Sequence, residues 1–412
     1  MAASATRPLV FSLPLRVSGL PSILVGVTDS QTCLVLKGRL RMLRESGFQV
    51  TLVSSPGALL DRTAAESGVE AVPIPMRRSM APVADLISFL RFWWVLGDCK
   101  PDMVEFSTPK AGLLGSLAAW LRGVPRRVYV LRGLRLETAT GVKRRILLAA
   151  EQLASACAHV VLCNSESLRA RALSLGIAPE RKLVLLGEGT SQGVNTERFS
   201  PGPTEMRDKL GLAPCTPVIG FVGRLTRDKG VPELVAAFET IRGTEPQARL
   251  LLVGWFDEAE DALDSRLRAR IASDPQIICT GFVRETAPYY RAMDVMALPT
   301  RREGFPNAVL EAAASGVPVV TTMATGSRDS VVSGLTGLLI PPGDSSAISD
   351  AVLALLRDPE RRIRMGRAAR AWVCEHYQDE RVLGFAAAFY ADMLARPGEA
   401  RSQGGALLSE DS

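Results

Sequence analysis

The chain has 412 residues, enough for two domains or three at roughly 100–200 residues each. With 47% hydrophobic and 22% charged residues it has the make-up of a packed globular protein, which excludes collagen-like repeats and disorder over most of its length. Net charge is +6, and seven scattered cysteines with no CxxC pair, beside only two histidines, argue against a disulfide framework, a structural zinc site or a multi-histidine metal centre.

The apolar run at the N-terminus holds Pro8 and Pro14 and ends at Arg16, a poor signal peptide. The longest membrane-like stretch, residues 81–97, is broken by Asp85 and Arg91, short of the roughly 20 apolar residues a span needs. A soluble cytoplasmic protein is expected, one able to touch a membrane from the side. Val- and Ile-rich runs predict strands at 21–27, 48–53, 69–74, 102–106, 127–131 and 159–163, with helical patterns between them, as at 32–46 and 109–122. The stretch GVNTERFSPGPTEM, rich in turn formers, reads as a linker. The alternation then restarts, with strands at 217–222, 248–253, 276–279, 294–298, 318–321 and 337–340. Helical pattern continues through 345–375 and 379–395, and residues 396–412 read as a disordered tail. This is an α/β chain with two doubly wound parallel sheets, split near residue 200 into domains 1–200 and 201–376, followed by a C-terminal helix at 377–395.

In open α/β sheets ligands bind beyond the carboxyl ends of the strands, and the informative residues do follow strands. After PVIGFV comes GRLTRDKG, with Gly223, Arg224, Lys229 and Gly230. Glycine lets a backbone approach a ligand, and two cations five residues apart can grip a diphosphate. No GxxxxGK[ST] is present, which removes the P-loop reading. After DVMALPT comes EGFPNAVLEAAASGVPVV. Pro306 suits the first turn of a helix, Glu303 then precedes that turn, and Glu311 lies two turns on. The amides from Gly304 to Asn307 would form an anion site at the helix start. Glu303 would reach sugar hydroxyls and Glu311 those of a ribose, unless both are ordinary surface glutamates.

These two motifs, in this order, resemble those of the retaining glycosyltransferases of family 4, which carry G-R-L-x-x-x-K-G and then E-G-F-P-x-x-x-x-E-A. GVPVVTT and GLTGLLIPPGD follow in register, and the likeness covers nearly the whole chain. TLVSSPG, TPKAGLLGSLAAWLRGVPRRVYVLRGLRLE and GEGTSQGVNTERF resemble bacterial polysaccharide and glycan-assembly transferases, relatives that commonly extend a sugar on undecaprenyl diphosphate at the cytoplasmic leaflet. The resemblance implies the GT-B fold: an N-terminal domain for the acceptor, a C-terminal domain for the nucleotide sugar, a cleft between them, and a last helix returning to the first domain. It implies that Arg224 and Lys229, beside Gly223, hold the donor diphosphate. Glu303 contacts the transferred sugar, with Gly304, Phe305, Pro306 and Asn307 nearby, and Glu311 binds the ribose. Glu303, Lys229 and Arg224 are thus the expected catalytic residues, and Lys110 and Arg132 the expected acceptor contacts. The donor is expected to be a nucleoside-diphosphate sugar, UDP-linked, and the acceptor a glycan or lipid-linked sugar. With the diphosphate neutralised by side chains and no DxD arrangement, no metal cofactor is expected.

Many relatives place a histidine just after the strand matching RRVYV, where this chain has Arg132. Arg132 either pairs with an acceptor phosphate or is a surface-loop arginine, and His159 reads as a core or strand-end residue. A sugar-nucleotide epimerase shares the fold, but its acid/base residues are not apparent. An inactive sugar-nucleotide-binding protein would be expected to lose Glu303, Lys229 or Arg224, and a nucleic-acid binder would interleave aromatics with its basic residues. Residues 1–200 hold 25 Lys+Arg against 15 Asp+Glu, a net of +10, whereas 201–412 hold 24 against 28. That asymmetry fits an anionic partner for the first half, or solvated arginine. Leu86, Leu90, Trp93 and Trp94 share one side of a helix behind Arg77 and Arg78, with GVKRR further on. The helix either lies on an anionic membrane or buries its tryptophans in a core, and burial is the expectation for the tryptophans themselves.

Overall fold

The computed structural model describes residues 19–395 except Arg78, Ala259 and Glu260. The N-terminal apolar run, Arg78 and the expected tail at 396–412 lie outside the described residues. Within them the first sheet contains β1 (Ser22–Gly26), β2 (Gln49–Ser54), β3 (Glu70–Pro73), β4 (Met103–Ser107), β5 (Arg126–Leu131), β6 (Val160–Cys163) and β7 (Leu183–Leu185), in the order β3-β2-β1-β4-β5-β6-β7. The second contains β8 (Val218–Val222), β9 (Arg249–Val253), β10 (Ile277–Cys279), β11 (Val295–Leu298), β12 (Val319–Thr322) and β13 (Gly337–Ile340), in the order β10-β9-β8-β11-β12-β13. Neighbours from β3 to β5 run parallel, as do all neighbours in the second sheet. Strands β1, β4 and β8 are buried along their whole length, as expected of parallel strands covered on both faces by helices. The two series of βα units are therefore two doubly wound sheets.

By contact density the described residues fall into two compact units. One comprises those of Met1–Val130, Ala150–Val161 and Ala386–Ser412, and the other Leu131–Ala149 and Leu162–Phe385. In the first unit Leu24, Val53, Phe92 and Phe106 share a core, with Phe92 edge-on to Phe106 at 5.4 Å. Two polar ties cross it. Arg39 Nη1 donates to both carboxylate oxygens of Glu105 at 3.1 Å and lies 3.3 Å from the Tyr390 hydroxyl, which fastens the end of the C-terminal helix (Asp379–Leu394) to the middle of the sheet. Tyr129 donates to Glu151 at 2.6 Å, and burial outweighs that bond to push the Glu151 carboxyl up to about 7.

The helix Pro82–Cys99 corrects one expectation: Phe92, Val95 and Leu96 enter the core, while Trp94 is 66% exposed and Trp93 is half-buried beneath the Arg122 guanidinium, 4.1 Å from its ring. His159 is a strand-end residue and not a core one, its Nδ1 accepting from the Arg127 amide at 3.1 Å.

In the second unit Phe221, Phe238, Tyr290, Val309 and Leu310 lie in one large core. The stretch read as a linker is packed there: Val194 and Phe199 are buried, and the Val194 amide donates to Tyr377 O at 2.8 Å. Two apolar residues among many turn formers were enough to anchor it. The helical pattern at 345–375 is two helices, Ser345–Leu356 and Pro359–His376. Asp358 caps the second by accepting from the Arg361 amide, with Pro359 at its first position.

Glu151 gives the fold a pH signature. Its folded-state pKa lies above the ordinary 4.5, so the folded state binds the extra proton and stability falls as pH rises from about 4.5 to about 7. Glu151→Gln keeps an acceptor for Tyr129 and removes the charge. It should match the parent near pH 4.5 and exceed it by about 2–3 kcal/mol at pH 8 in denaturant titrations. An equal gap at both pH values would contradict this account.

Candidate functional site

The second sheet reverses its winding between β8 and β11, so the loops leaving those two strands diverge and leave a crevice. Both sequence motifs sit on those loops. Gly223 follows β8 directly and donates its amide to Val253 O at 3.0 Å. Gly230 closes the loop with φ +74°, and a Cβ there would stand 2.0 Å from the Pro299 carbonyl oxygen, so only glycine lets this loop touch the end of β11. Lys229 is thereby delivered to the second motif, where its ammonium forms an ion pair with Glu303, both side chains being mostly buried.

Glu303 is held from its backbone, its amide donating to Thr325 O at 3.0 Å. Gly304 is wedged against the Arg132 backbone, where a Cβ would meet the Arg132 carbonyl oxygen at 2.5 Å. The helix starts one residue later than expected, at Asn307, with Pro306 extended before it. Phe305 turns into the core against Tyr377, 5.2 Å between ring centroids, so it has only backbone to offer a ligand. Asn307 Oδ1 accepts from Thr190 Oγ1 at 3.2 Å. Glu311, on the same helix, accepts from the buried Tyr290 hydroxyl at 2.8 Å. Burial pushes its carboxyl up to about 7, against the Tyr290 and Thr286 hydrogen bonds and the charge of Arg198, with Glu285 adding to the rise.

Arg224 completes the cationic side. Its Nη1 donates to Asp257 at 2.7 Å, and its other nitrogen lies 3.8 Å from Asp228. Asp228, Asp257 and Arg302 did not stand out in the sequence, yet they organise this crevice. Asp228 is 2% exposed; its carboxylate accepts from Arg302 at 2.9 Å and Thr226 at 2.6 Å, and its carbonyl accepts from the Arg301 amide at 2.8 Å. Burial alone would raise its pKa, but Arg302, Lys229, the Thr226 hydroxyl and Arg224 hold it below the ordinary aspartate value. Arg302 also lies 3.4 Å from Asp261 and donates to Thr138 Oγ1 at 3.0 Å. Their sequence signal was position alone: Asp228 lies inside GRLTRDKG, Arg302 abuts EGFP, and Asp257 follows β9, the strand next to β8.

Of the two acceptor candidates, Arg132 follows β5 and donates to Ser191 Oγ at 2.9 Å, with its carbonyl against Gly304. Lys110 belongs to the first unit, where its ammonium is committed to Asp85 and to the Ser79 carbonyl. Among the described residues no group of three or more His, Cys, Asp and Glu side chains could hold a metal ion.

Residues 38–187 match the family described as "Glycosyl transferase 4-like domain", and residues 216–358 match "Glycosyl transferases group 1". The capsular polysaccharide biosynthesis glycosyltransferase CapM of Staphylococcus aureus is 36% identical over 345 residues, 84% of this chain and 90% of that one. The chain belongs to the group 1, family 4-like glycosyltransferases. Two solved structures share the GT-B fold of this glycosyltransferase. Anabaena HepE in complex with UDP-glucose has a TM-score of 0.75 at 18% identity, covering 90% of this chain and 99% of that one. The sucrose-phosphate synthase of Thermosynechococcus elongatus has a TM-score of 0.76 at 20% identity and the same coverage.

Asp228→Ala should leave Arg302 and Arg224 short of a counter-charge in a buried setting and destabilise the protein by about 3 kcal/mol. The depressed aspartate stabilises the fold above its unfolded pKa and loses that contribution in acid. The difference between variant and parent should therefore persist at pH 7 and shrink below the ordinary aspartate range. Unchanged denaturant midpoints at pH 7 would show that Asp228 carries no such weight.

Proposed function

We propose that this glycosyltransferase is a retaining enzyme that moves a sugar from a UDP-linked donor to a glycan or lipid-linked sugar in the assembly of a capsular or other surface polysaccharide. The pathway is supported by the likeness to CapM over most of both chains, and the donor class by the fold shared with HepE, whose structure holds UDP-glucose. The acceptor is proposed to be a sugar on undecaprenyl diphosphate, met in the cytoplasm at the inner face of the cell membrane. Among the described residues no helix is long and apolar enough to cross a membrane, so on this reading the enzyme meets its lipid from the side.

The observation that carries the proposal is the pairing of Lys229 with Glu303 at the turning point of the second sheet, one loop ahead of the helix at Asn307. Breaking the bond from the sugar C1 to phosphate builds charge on the leaving diphosphate. Lys229, Arg224 and the amide end of the helix would stabilise that charge more in the transition state than in the bound donor. Each charge-assisted hydrogen bond contributes about 1.5–3 kcal/mol, about ten- to a hundred-fold in rate. A diphosphate arriving at Lys229 exchanges with the Glu303 carboxylate, which then faces the transferred sugar. With no histidine after β5, the acceptor hydroxyl gives its proton to the departing phosphate oxygen as its own oxygen bonds C1 from the same face. On this reading no metal is needed. Glu311 takes the ribose hydroxyls, and Arg132 remains the candidate for an acceptor phosphate. Lys110, paired with Asp85 as Lys229 is with Glu303, is the second candidate.

A screen of sugar nucleotides by nucleoside-diphosphate release should find one preferred donor. With it, Lys229→Ala and Glu303→Gln should each lose transfer by about a hundredfold or more while keeping the parent's circular dichroism spectrum at the assay temperature. Parent-like turnover by both variants would sink the site assignment, and conversion of the donor to an epimer without transfer would identify an epimerase instead.

Glu311 makes a second expectation. Its carboxyl accepts ribose hydroxyls through both oxygens, and more strongly, when ionised, so the donor KM should fall as pH rises through about 7. Tyr290→Phe removes a bond to the charged form and should move that transition to higher pH, with little change in kcat at high pH. An unmoved profile would place Glu311 away from the ribose.

A further inference from the structure

Surface helices ordinarily turn polar residues to water, and Pro82–Cys99 does the reverse. Val83 (75% exposed), Leu86 (59%), Ile87 (49%), Leu90 (47%) and Trp94 (66%) recur at intervals of three and four residues, a single apolar stripe more than three turns long. Asp85, the acidic residue within that span, is turned aside to pair with Lys110, and the next one, Asp98, comes only after the stripe has ended. The neighbouring helix, Pro109–Leu121, ends in the exposed Trp120 and Leu121. Arg122, just past its end, donates to the Trp93 carbonyl at 3.0 Å and covers the Trp93 ring, which ties the ends of the two helices together.

We infer that this stripe is a membrane-docking face that lies in an anionic leaflet, with the helix flat on the surface and Trp94 and Trp120 at headgroup depth. A ridge one helix wide suits acyl chains, which close around it. A second copy of the chain would need a self-complementary patch of about 800 Å² per partner. Charge points the same way. Arg77 is exposed at the approach to the helix, Arg91 lies within it and Arg122 stands beside it, while residues 1–200 carry a net +10. Tryptophans at the end of an apolar face, with basic side chains around it, are the pattern of helices that lie in the interface plane. The inference does not rest on the sugar-nucleotide site, and its test reads binding without turnover.

The full chain should co-sediment with vesicles of phosphatidylglycerol and phosphatidylcholine, and about tenfold less with phosphatidylcholine alone. Salt should weaken the binding without abolishing it, because the apolar insertion is not screened. A variant with Leu90→Gln and Trp94→Gln should bind anionic vesicles at least about tenfold more weakly, with an unchanged circular dichroism spectrum and melting temperature. Trp94 fluorescence should shift to the blue on binding in the parent. Parent-like vesicle binding by the variant, or no binding by the parent at low salt, would overturn the inference. So would a lipid-free dimer in sedimentation velocity that the variant dissolves, since a second copy would then cover the face.

Discussion

The crevice depends on one buried carboxylate. Strands β8 and β11 are neighbours, but their loops leave in divergent directions, so nothing in the sheet itself brings Lys229 to Glu303. Asp228 does so. Its side chain takes Arg302 and Thr226, while its carbonyl takes the Arg301 amide and the Thr300 hydroxyl, which stitches the two loops along both backbone and side chain. Gly230, one residue past Lys229, removes a Cβ that would stand 2.0 Å from the Pro299 carbonyl oxygen and hold the loops apart. Burying a charge this deeply would cost several kcal/mol without partners, and Arg302 and Arg224 are the partners that offset it.

Around that carboxylate three cations rest on acids. Arg224 meets Asp257, Lys229 meets Glu303, and Arg302 meets Asp228 and Asp261. A crevice lined with unneutralised arginine and lysine would attract any polyanion. One in which these three rest on acids favours a ligand whose oxygens can replace a carboxylate in place, which is a geometric demand as well as an electrostatic one. Glu303 is the member of the set that stands in the loop ahead of the helix, and on the proposed reading it is the partner a diphosphate exchanges with. Asp228, enclosed, cannot be displaced without opening both loops.

Much of this was legible in the sequence because parallel strands are written as unbroken apolar runs. PSILVGV and PVIGFV announced β1 and β8 to within a residue at each end, and the loop motifs sat where such strands end. Strand β7 was missed because three residues are too few to show a period. The packing of the linker went unread for a related reason: composition registered the prolines and glycines around Val194 and Phe199 but not that those two side chains enter a core. Arg224, Lys229, Glu303 and Glu311 were found by spacing and resemblance, whereas Asp257 and Tyr290 come from elements 33 and 21 residues away from the groups they hold. No local pattern links such pairs.

The first unit shows how far a sequence pattern can be read in two ways. Helical spacing put Trp93 and Trp94 on one side with Leu86 and Leu90, and a stripe of large apolar residues on a helix of a packed sheet is most often its buried face. Phe92, Val95 and Leu96 already fill that role, with Phe92 against Phe106, so the helix has two apolar sides and only one can be inside. Hydrophobic periodicity says that a face is apolar. What settles its direction is which residues the sheet has room for, and here small residues on the neighbouring helix, Ala111, Ala118 and Ala119, leave space for phenylalanine and leucine from one side of the helix alone. The surplus apolar face is a property of the packing, and a protein that keeps five large hydrophobic side chains in water along one helix bears a solubility penalty that an apolar surface outside the molecule would relieve.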